Sequence, residues 1–160
     1  MYEHVLSPIT VGGVEIPNRV VRTAHATGYA PGRMSDRLIA YHVARARGGV
    51  GLTILEIMGV HPSSPGSLLA FDPIIGEGYG KLLDACEGTD MTIFQQIWHG
   101  GHNSNPLDGG APWSASDVPG ALSTSVPRAM TKTQIDEIVG AFANAARVCR
   151  ESGIHGVEVH

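Results

Sequence analysis

Cysteine, charge and long apolar runs are all scarce in this chain, and each shortage excludes something. There are two cysteines in 160 residues, Cys86 and Cys149. Both fall in segments of helical periodicity, which fits reduced, buried thiols and excludes a disulfide framework. Charged residues make up 16% and the formal net charge is −4. That balance fits a soluble globular protein and gives no basic footprint for nucleic acid. The longest apolar stretch, near Val50 to Val60, is interrupted by Glu56 and is too short to span a bilayer. The opening MYEHVLSPITV lacks a basic region followed by an apolar one, so it does not read as a signal peptide and the expected location is cytoplasmic.

Glycine, by contrast, is abundant at 21 residues, and hydrophobic residues reach 42%. A chain of this length buries a real core as one domain, here taken as 1–160, with no linker and no low-complexity tract. Many glycines sit at helix ends and strand-to-loop joints, as an α/β fold requires. Ile9 to Pro17 reads as two short β segments around Gly12-Gly13, a small hairpin. Arg19 to Ala24 begins a buried strand with Val20 and Val21. Ser35 caps a helix carrying Leu38, Ile39, His42, Val43 and Ala46 on one face and stopping at Gly48-Gly49. Gly51 to Gly59 is a nearly continuous apolar strand, as expected where both faces are covered. A weaker helix spans Glu77 to Glu87, and Met91 to Trp98 is a third strand. Its Gln95 and Gln96 are costly in a core unless each amide finds partners. Gly100 to Ala129 is a long loop, of a length that is functional or disordered in a compact domain. Thr131-Lys132-Thr133-Gln134 is a capping box opening a helix whose apolar positions, Ile135, Ile138, Val139, Phe142, Ala145, Ala146 and Cys149, keep helical spacing. Gly153 stops it, and Gly156 to His160 is the fourth strand.

Strands alternating with helices predict an α/β fold with parallel strands. Four such strands behind a hairpin predict the first half of a (β/α)8 TIM barrel, because a closed barrel needs roughly 200 residues or more. Right-handed crossovers put every strand's C-terminal end on one face. The ends are Ala24-His25-Ala26-Thr27, Glu56-Ile57-Met58, Gln96-Ile97-Trp98-His99 and His160, so residues far apart in sequence are expected on one rim.

LSPITVGGVEIPNRVV, RTAHATG, LEIMGVHPSS, FQQIWHGGH and PRAMTKTQIDEIVGAFANAARVCRESGIHGVEVH cover nearly the whole chain and resemble the Old Yellow Enzyme family of FMN-dependent oxidoreductases. FQQIWHGGH and the tail are the specific pieces. The resemblance implies a TIM barrel with FMN at the C-terminal rim, passing hydride from NAD(P)H or an amine to an acceptor such as an activated alkene. It implies that Ala24, His25 and Ala26 lie along the flavin and that Ile57 contacts it. Gln96 would hydrogen-bond the pyrimidine edge, where reduction adds negative charge. His160 would be the first of a pair gripping the substrate's carbonyl or nitro oxygen, stabilising an incipient oxyanion. RTAHATG leans toward the dienoyl-CoA reductase and trimethylamine dehydrogenase side. Relatives often carry Cys or Thr where Ala26 stands, so a lower flavin potential and no covalent flavin link are expected. The family's second substrate-binding His or Asn, its Tyr proton donor and its phosphate-binding segments would follow residue 160, in a longer record or in a partner chain.

Other readings of the same residues compete. His99 and His102 in His-Gly-Gly-His suggest a metal pair, but no Asp or Glu ligand stands beside them in sequence. His99 reads better as a rim histidine holding the loop; His4, His42, His61 and His155 read as surface or helix residues. Glu56 and Glu158 are general bases or ion-paired interior residues. The substrate is a small molecule, with amine oxidation as an alternative reaction. A non-catalytic half-barrel subunit, homo-oligomeric or paired with a second chain through its open strand edges, is the rival of another class.

Overall fold

The computed structural model describes residues 2–121, 123 and 125–160. A hairpin comes first: β1 (Ile9–Val11) pairs antiparallel with β2 (Val14–Ile16), with Val11 opposite Val14. Gly12 and Gly13 between them have φ of 57° and 83°. Two successive positive φ angles define the tight turn that matches strand twist, and only glycine adopts them without cost.

The chain continues through β3 (Val21–Arg22), α1 (Asp36–Arg47), β4 (Leu52–Gly59), β5 (Leu68–Leu69), α2 (Ile75–Ala85) and β6 (Thr92–Trp98). A 3-10 turn (Gly101–Asn103), β7 (Trp113–Ser114), β8 (Arg128–Ala129), α3 (Lys132–Glu151) and β9 (Gly156–Val159) complete it. Strands β3, β4, β6 and β9 lie side by side in that order, all parallel, with β5 added to the end of β4. This is the parallel sheet with intervening helices, behind a hairpin, that the sequence predicts. No helix among the described residues is long and apolar enough to cross a membrane.

Local chemistry fixes the helix starts. Ser35 Oγ accepts from the Leu38 N–H, and Asp36 stands at the positive end of α1. In α3 both bonds of the Thr131–Gln134 capping box form. Helix α2 starts at Ile75 and ends at Ala85, earlier than the expected Glu77 to Glu87, because its start has no side-chain cap to read. Asp72 does that work instead, accepting the Ile75 N–H on its backbone carbonyl and the Ile74 N–H on Oδ1.

The sheet separates two apolar clusters. On the helix side, Leu38, Leu55, Met58, Tyr79, Leu82, Ile93, Ile97 and Cys149 form the main core. On the other face Leu52, Ile54 and Phe94 meet Ile16 of the hairpin, with Val14 and Ala24 at the margin. Gly156 is opposite Phe94 in the ladder, and a Cβ there would run into the Phe94 ring, so β9 has to begin with a glycine. Both cysteines are free and buried.

Two expectations need correcting. Val20 and Val21 are exposed rather than buried, because β3 is an outer strand of the sheet with its far side unpaired among the described residues. The segment from Gly100 to Ala129 is not structureless. It holds the 3-10 turn and the parallel pair Trp113–Arg128 and Ser114–Ala129, tied further by Asp117 accepting the Ala129 N–H.

Candidate active site at the C-terminal rim

The two glutamines of β6 point to opposite faces, and their environments differ accordingly. Between Leu55 and Met58 the β4 strand carries one residue more than β6, a bulge that puts Glu56 and Ile57 opposite Gln96. A bulge removes ladder partners from the backbone. Here Gln95 restores them: its Nε2 donates to the Glu56 carbonyl at 2.7 Å and to the Gln96 carbonyl at 2.8 Å, while its Oε1 accepts from the Tyr79 hydroxyl at 2.9 Å. Gln95 is fully buried and fully employed. It supports the site without facing it.

Gln96 belongs to the other face. Its ladder partner is Glu158, and its Nε2 donates to the Glu158 carboxylate. Glu56 shares that face with Ile54 and Leu52, two and four residues back along β4. Its buried carboxylate is held from the loop after β3, by the Thr27 hydroxyl at 2.6 Å and the Thr27 N–H at 3.3 Å. The concave face therefore grades from apolar near the hairpin (Ile16, Leu52, Ile54, Phe94) to polar near the strand ends (Glu56, Gln96, Glu158). Glu56 and Glu158 are hydrogen-bonded to neutral partners rather than ion-paired among the described residues, which corrects one of the sequence readings. Thr27, whose role the sequence did not reveal, is what satisfies Glu56.

His160 follows β9 directly. Its N–H donates to the Ile97 carbonyl at 2.9 Å, and its carbonyl accepts from the His99 N–H at 3.3 Å, so it is set on the rim one step beyond Gln96. Its side chain is exposed. The strand-end residues of β4, β6 and β9 are thus brought together in register, with Ile57 half-buried in the bulge.

The β3 end behaves differently. Ala24 borders the concave apolar cluster, while His25 turns toward α1. His25 Nε2 lies 3.1 Å from Arg22 Nη2 and 3.3 Å from the Tyr41 hydroxyl. A guanidinium only donates, so Nε2 is the acceptor and the neutral ring carries its proton on Nδ1. Arg22 is anchored by donation to the Ile54 carbonyl at 2.9 Å. The Arg22 bond to the Tyr41 phenol, with Arg45 stacked 3.3 Å over the ring, draws the phenol below its ordinary pKa. Ala26 is exposed and offers no polar atom beyond its backbone. No group of three or more His, Cys, Asp or Glu side chains among the described residues is placed to hold a metal ion.

The model of the NADH:flavin oxidoreductase / NADH oxidase family matches residues 4–160. The chain belongs to that family. An NADH oxidase of Thermoanaerobacter brockii is 35% identical over 167 residues, covering 99% of this chain and 26% of that protein. An NADPH dehydrogenase of Bacillus velezensis is 29% identical, covering 100% of this chain and 48% of its own length. Morphinone reductase shares the fold at a TM-score of 0.85 and 24% identity, over 98% of this chain and 47% of that one. The chain thus spans between about a quarter and about half of the relatives it matches. These structural neighbours are TIM-barrel enzymes, so the parallel sheet is part of a barrel wall.

Membership of this flavin oxidoreductase family brings FMN and a nicotinamide donor with it, and the residues present fit a flavin edge. A pyrimidine edge alternates hydrogen-bond donors and acceptors, which a primary amide matches. Gln96 spends one N–H on Glu158 and keeps its carbonyl oxygen and second N–H without a side-chain partner among the described residues. Ala24 and Ala26 leave room where a larger side chain would fill the surface.

Proposed function

We propose that this chain forms the flavin-holding wall of an FMN-dependent oxidoreductase that reduces an activated alkene, such as an α,β-unsaturated carbonyl compound, with NAD(P)H. FMN, when bound, takes hydride from the reduced nicotinamide and delivers it to the acceptor. Gln96 binds and orients the pyrimidine edge. Glu158 fixes the amide by accepting one N–H, and the bulge filled by Gln95 fixes the strand that carries it. His160 offers an imidazole N–H to the acceptor's oxygen, withdrawing electrons from the alkene so that its β-carbon accepts hydride more readily. Ala24 and Ala26 line the approach from β3, with the His25 ring turned to Arg22 and Tyr41, and Ile57 contributes from the bulge.

The observation that carries this reading is the polar row Glu56–Gln96–Glu158 at the strand ends, with His160 two residues beyond Glu158 and bonded through its backbone to Ile97 and His99. The unpaired sides of β3 and β9 are where a second copy or another chain would add strands.

The test is spectroscopic. Purified protein mixed with FMN is expected to shift the flavin bands, to bleach with NADH or NADPH under anaerobic conditions, and to recover colour when an enone is added. Gln96→Leu is expected to weaken FMN binding about tenfold or more, the cost of leaving buried polar groups at the pyrimidine edge unpaired. His160→Ala should leave bleaching intact and slow reoxidation by the enone. Binding of FMN with the same affinity in wild type and Gln96→Leu, or bleaching without reoxidation by any enone, would sink this assignment.

A further inference from the structure

Beside the rim, one hydroxyl stands between two imidazoles. Ser63 Oγ lies 2.8 Å from His61 Nδ1 and 3.0 Å from His99 Nε2, and His61 Nε2 lies 3.1 Å from Glu137 Oε1. Distances alone leave the sense of these bonds open, but two backbone groups settle it. The Gly101 N–H donates to His99 Nδ1 at 3.2 Å, and the Ser63 N–H donates to His61 Nδ1 at 3.1 Å. A backbone N–H only donates, so both Nδ1 atoms accept and each neutral ring carries its proton on Nε2. His99 Nε2–H then donates to Ser63 Oγ. The Ser63 hydroxyl hydrogen goes to His61 Nδ1, and His61 Nε2–H goes to the Glu137 carboxylate. Every donor has an acceptor and the bonds run one way.

This chain of bonds joins parts distant in sequence: the loop after β4 (His61, Ser63), the end of β6 (His99) and the N-terminal part of α3 (Glu137). Ser63 is buried, and the His61 ring lies against Trp113 at 5.2 Å between centroids, which brings the β7 segment into the same cluster. The His99 N–H is bonded to the His160 carbonyl. We propose that Ser63 is a positioning residue: by holding His99 and His61 as neutral Nε2–H rings in one chain running to Glu137, it fixes the His99 backbone and with it the place of His160 on the rim. The inference deepens the reading above, since His160 is the residue being placed.

The electrostatics agree. Burial, and then the charge His61 would carry if protonated, push the His99 pKa down, so His99 stays neutral. The ionisable groups facing the two rings are Glu137 from α3 and Asp108, which lines the same small cavity as His61, Ser63 and Trp113.

Histidine side-chain 15N spectra of the labelled protein test this without flavin or turnover. At neutral pH, His61 and His99 should each show a single Nε2–H tautomer. Ser63→Ala should turn His99 into a tautomer mixture and shift the His160 signals; Ser63→Thr should restore both. Ser64 is the control, since its Oγ accepts the Gly100 N–H at 2.8 Å in the same region but lies outside the chain. Ser64→Ala should cost stability and leave the tautomers alone. Should Ser63→Ala not fold, Ser63→Cys carries the test: a thiol is only a weak acceptor and donor, so the His99 tautomer mixture and the His160 shifts should appear there too. An Nδ1–H form of His99 in wild type, or His99 and His160 signals indifferent to loss of the Ser63 hydroxyl, overturns the proposal. Failure of FMN binding with intact tautomers would remove the functional reading and leave this one standing.

Discussion

Two side chains show how much depends on a single atom. Ala26, on the proposed flavin approach, has no hydrogen-bond donor where a thiol or hydroxyl would tune an electron acceptor. Ala26→Cys is therefore expected to raise the flavin potential, measured by dye equilibration; an unchanged potential would remove Ala26 from the flavin's surroundings. His42 is the second case. It is fully buried, its Nε2 has no hydrogen-bond partner among the described residues, and its Nδ1 is 3.4 Å from the Thr53 hydroxyl. Burial, helped by the charges of Arg22, Arg45 and His25, lowers its pKa to about 3. The unfolded chain therefore binds this proton more readily than the folded one, starting near the free value of about 6.5. Stability from neutral His42 is complete above that pH and is lost as pH falls toward 3. The full loss is on the order of 3–5 kcal/mol. Urea melts from pH 7 to pH 4 should show that slope in wild type and a much flatter one in His42→Leu. Equal slopes would mean that His42 does not set the acid sensitivity.

At the level of elements, what could be read from sequence was what is decided locally. The Gly12-Gly13 turn and the Thr131–Gln134 capping box each need only residues within a few positions, and both form as expected. The strand ends could be read because apolar runs stop there in polar residues. Helix α2 was misplaced because its start is capped by the backbone and side chain of Asp72, which no apolar period reveals. The pair β7–β8 is two residues per strand, held across the intervening loop, and has no periodicity to find. The bulge in β4 was equally invisible, since it exists only through the registers of two strands. Its support makes a sharp prediction. Tyr79→Phe leaves the buried Gln95 Oε1 without its donor and should cost about 1–3 kcal/mol in denaturant melts. Gln95→Leu takes the amide donor from the Glu56 and Gln96 carbonyls and leaves the Tyr79 hydroxyl only the Met58 sulfur, so it should cost more than Tyr79→Phe. Melts within about 0.5 kcal/mol of wild type for both would show that the bulge needs no such support.

On the scale of the molecule, the sheet is covered on its helix side, and the outer sides of β3 and β9 have no partner strand among the described residues. Val21 on β3 and Val159 on β9 are exposed, and α3 leaves Ile135 and Val139 in solvent beside its buried face of Ile138, Ala145 and Cys149. A parallel sheet with bare edges and adjoining apolar side chains favours strand addition. The chain is expected to elute above its monomer mass, 16.8 kDa, with the larger species growing with concentration. Val159→Lys should shift it toward the monomer by placing a charge on the β9 edge. A concentration-independent monomer in wild type would show that these edges are silent.

The adjacent glutamines carry a last consequence for anyone building variant libraries. Saturating codons 95 and 96 and sorting once for soluble expression, once for yellow colour, should yield two unlike tolerance maps from neighbouring positions. Codon 95 should be intolerant in both sorts, because its amide completes the backbone of the wall itself. Codon 96 should be permissive in the first and narrow in the second, so an alignment shifted by one place here would exchange a scaffold residue for a ligand contact.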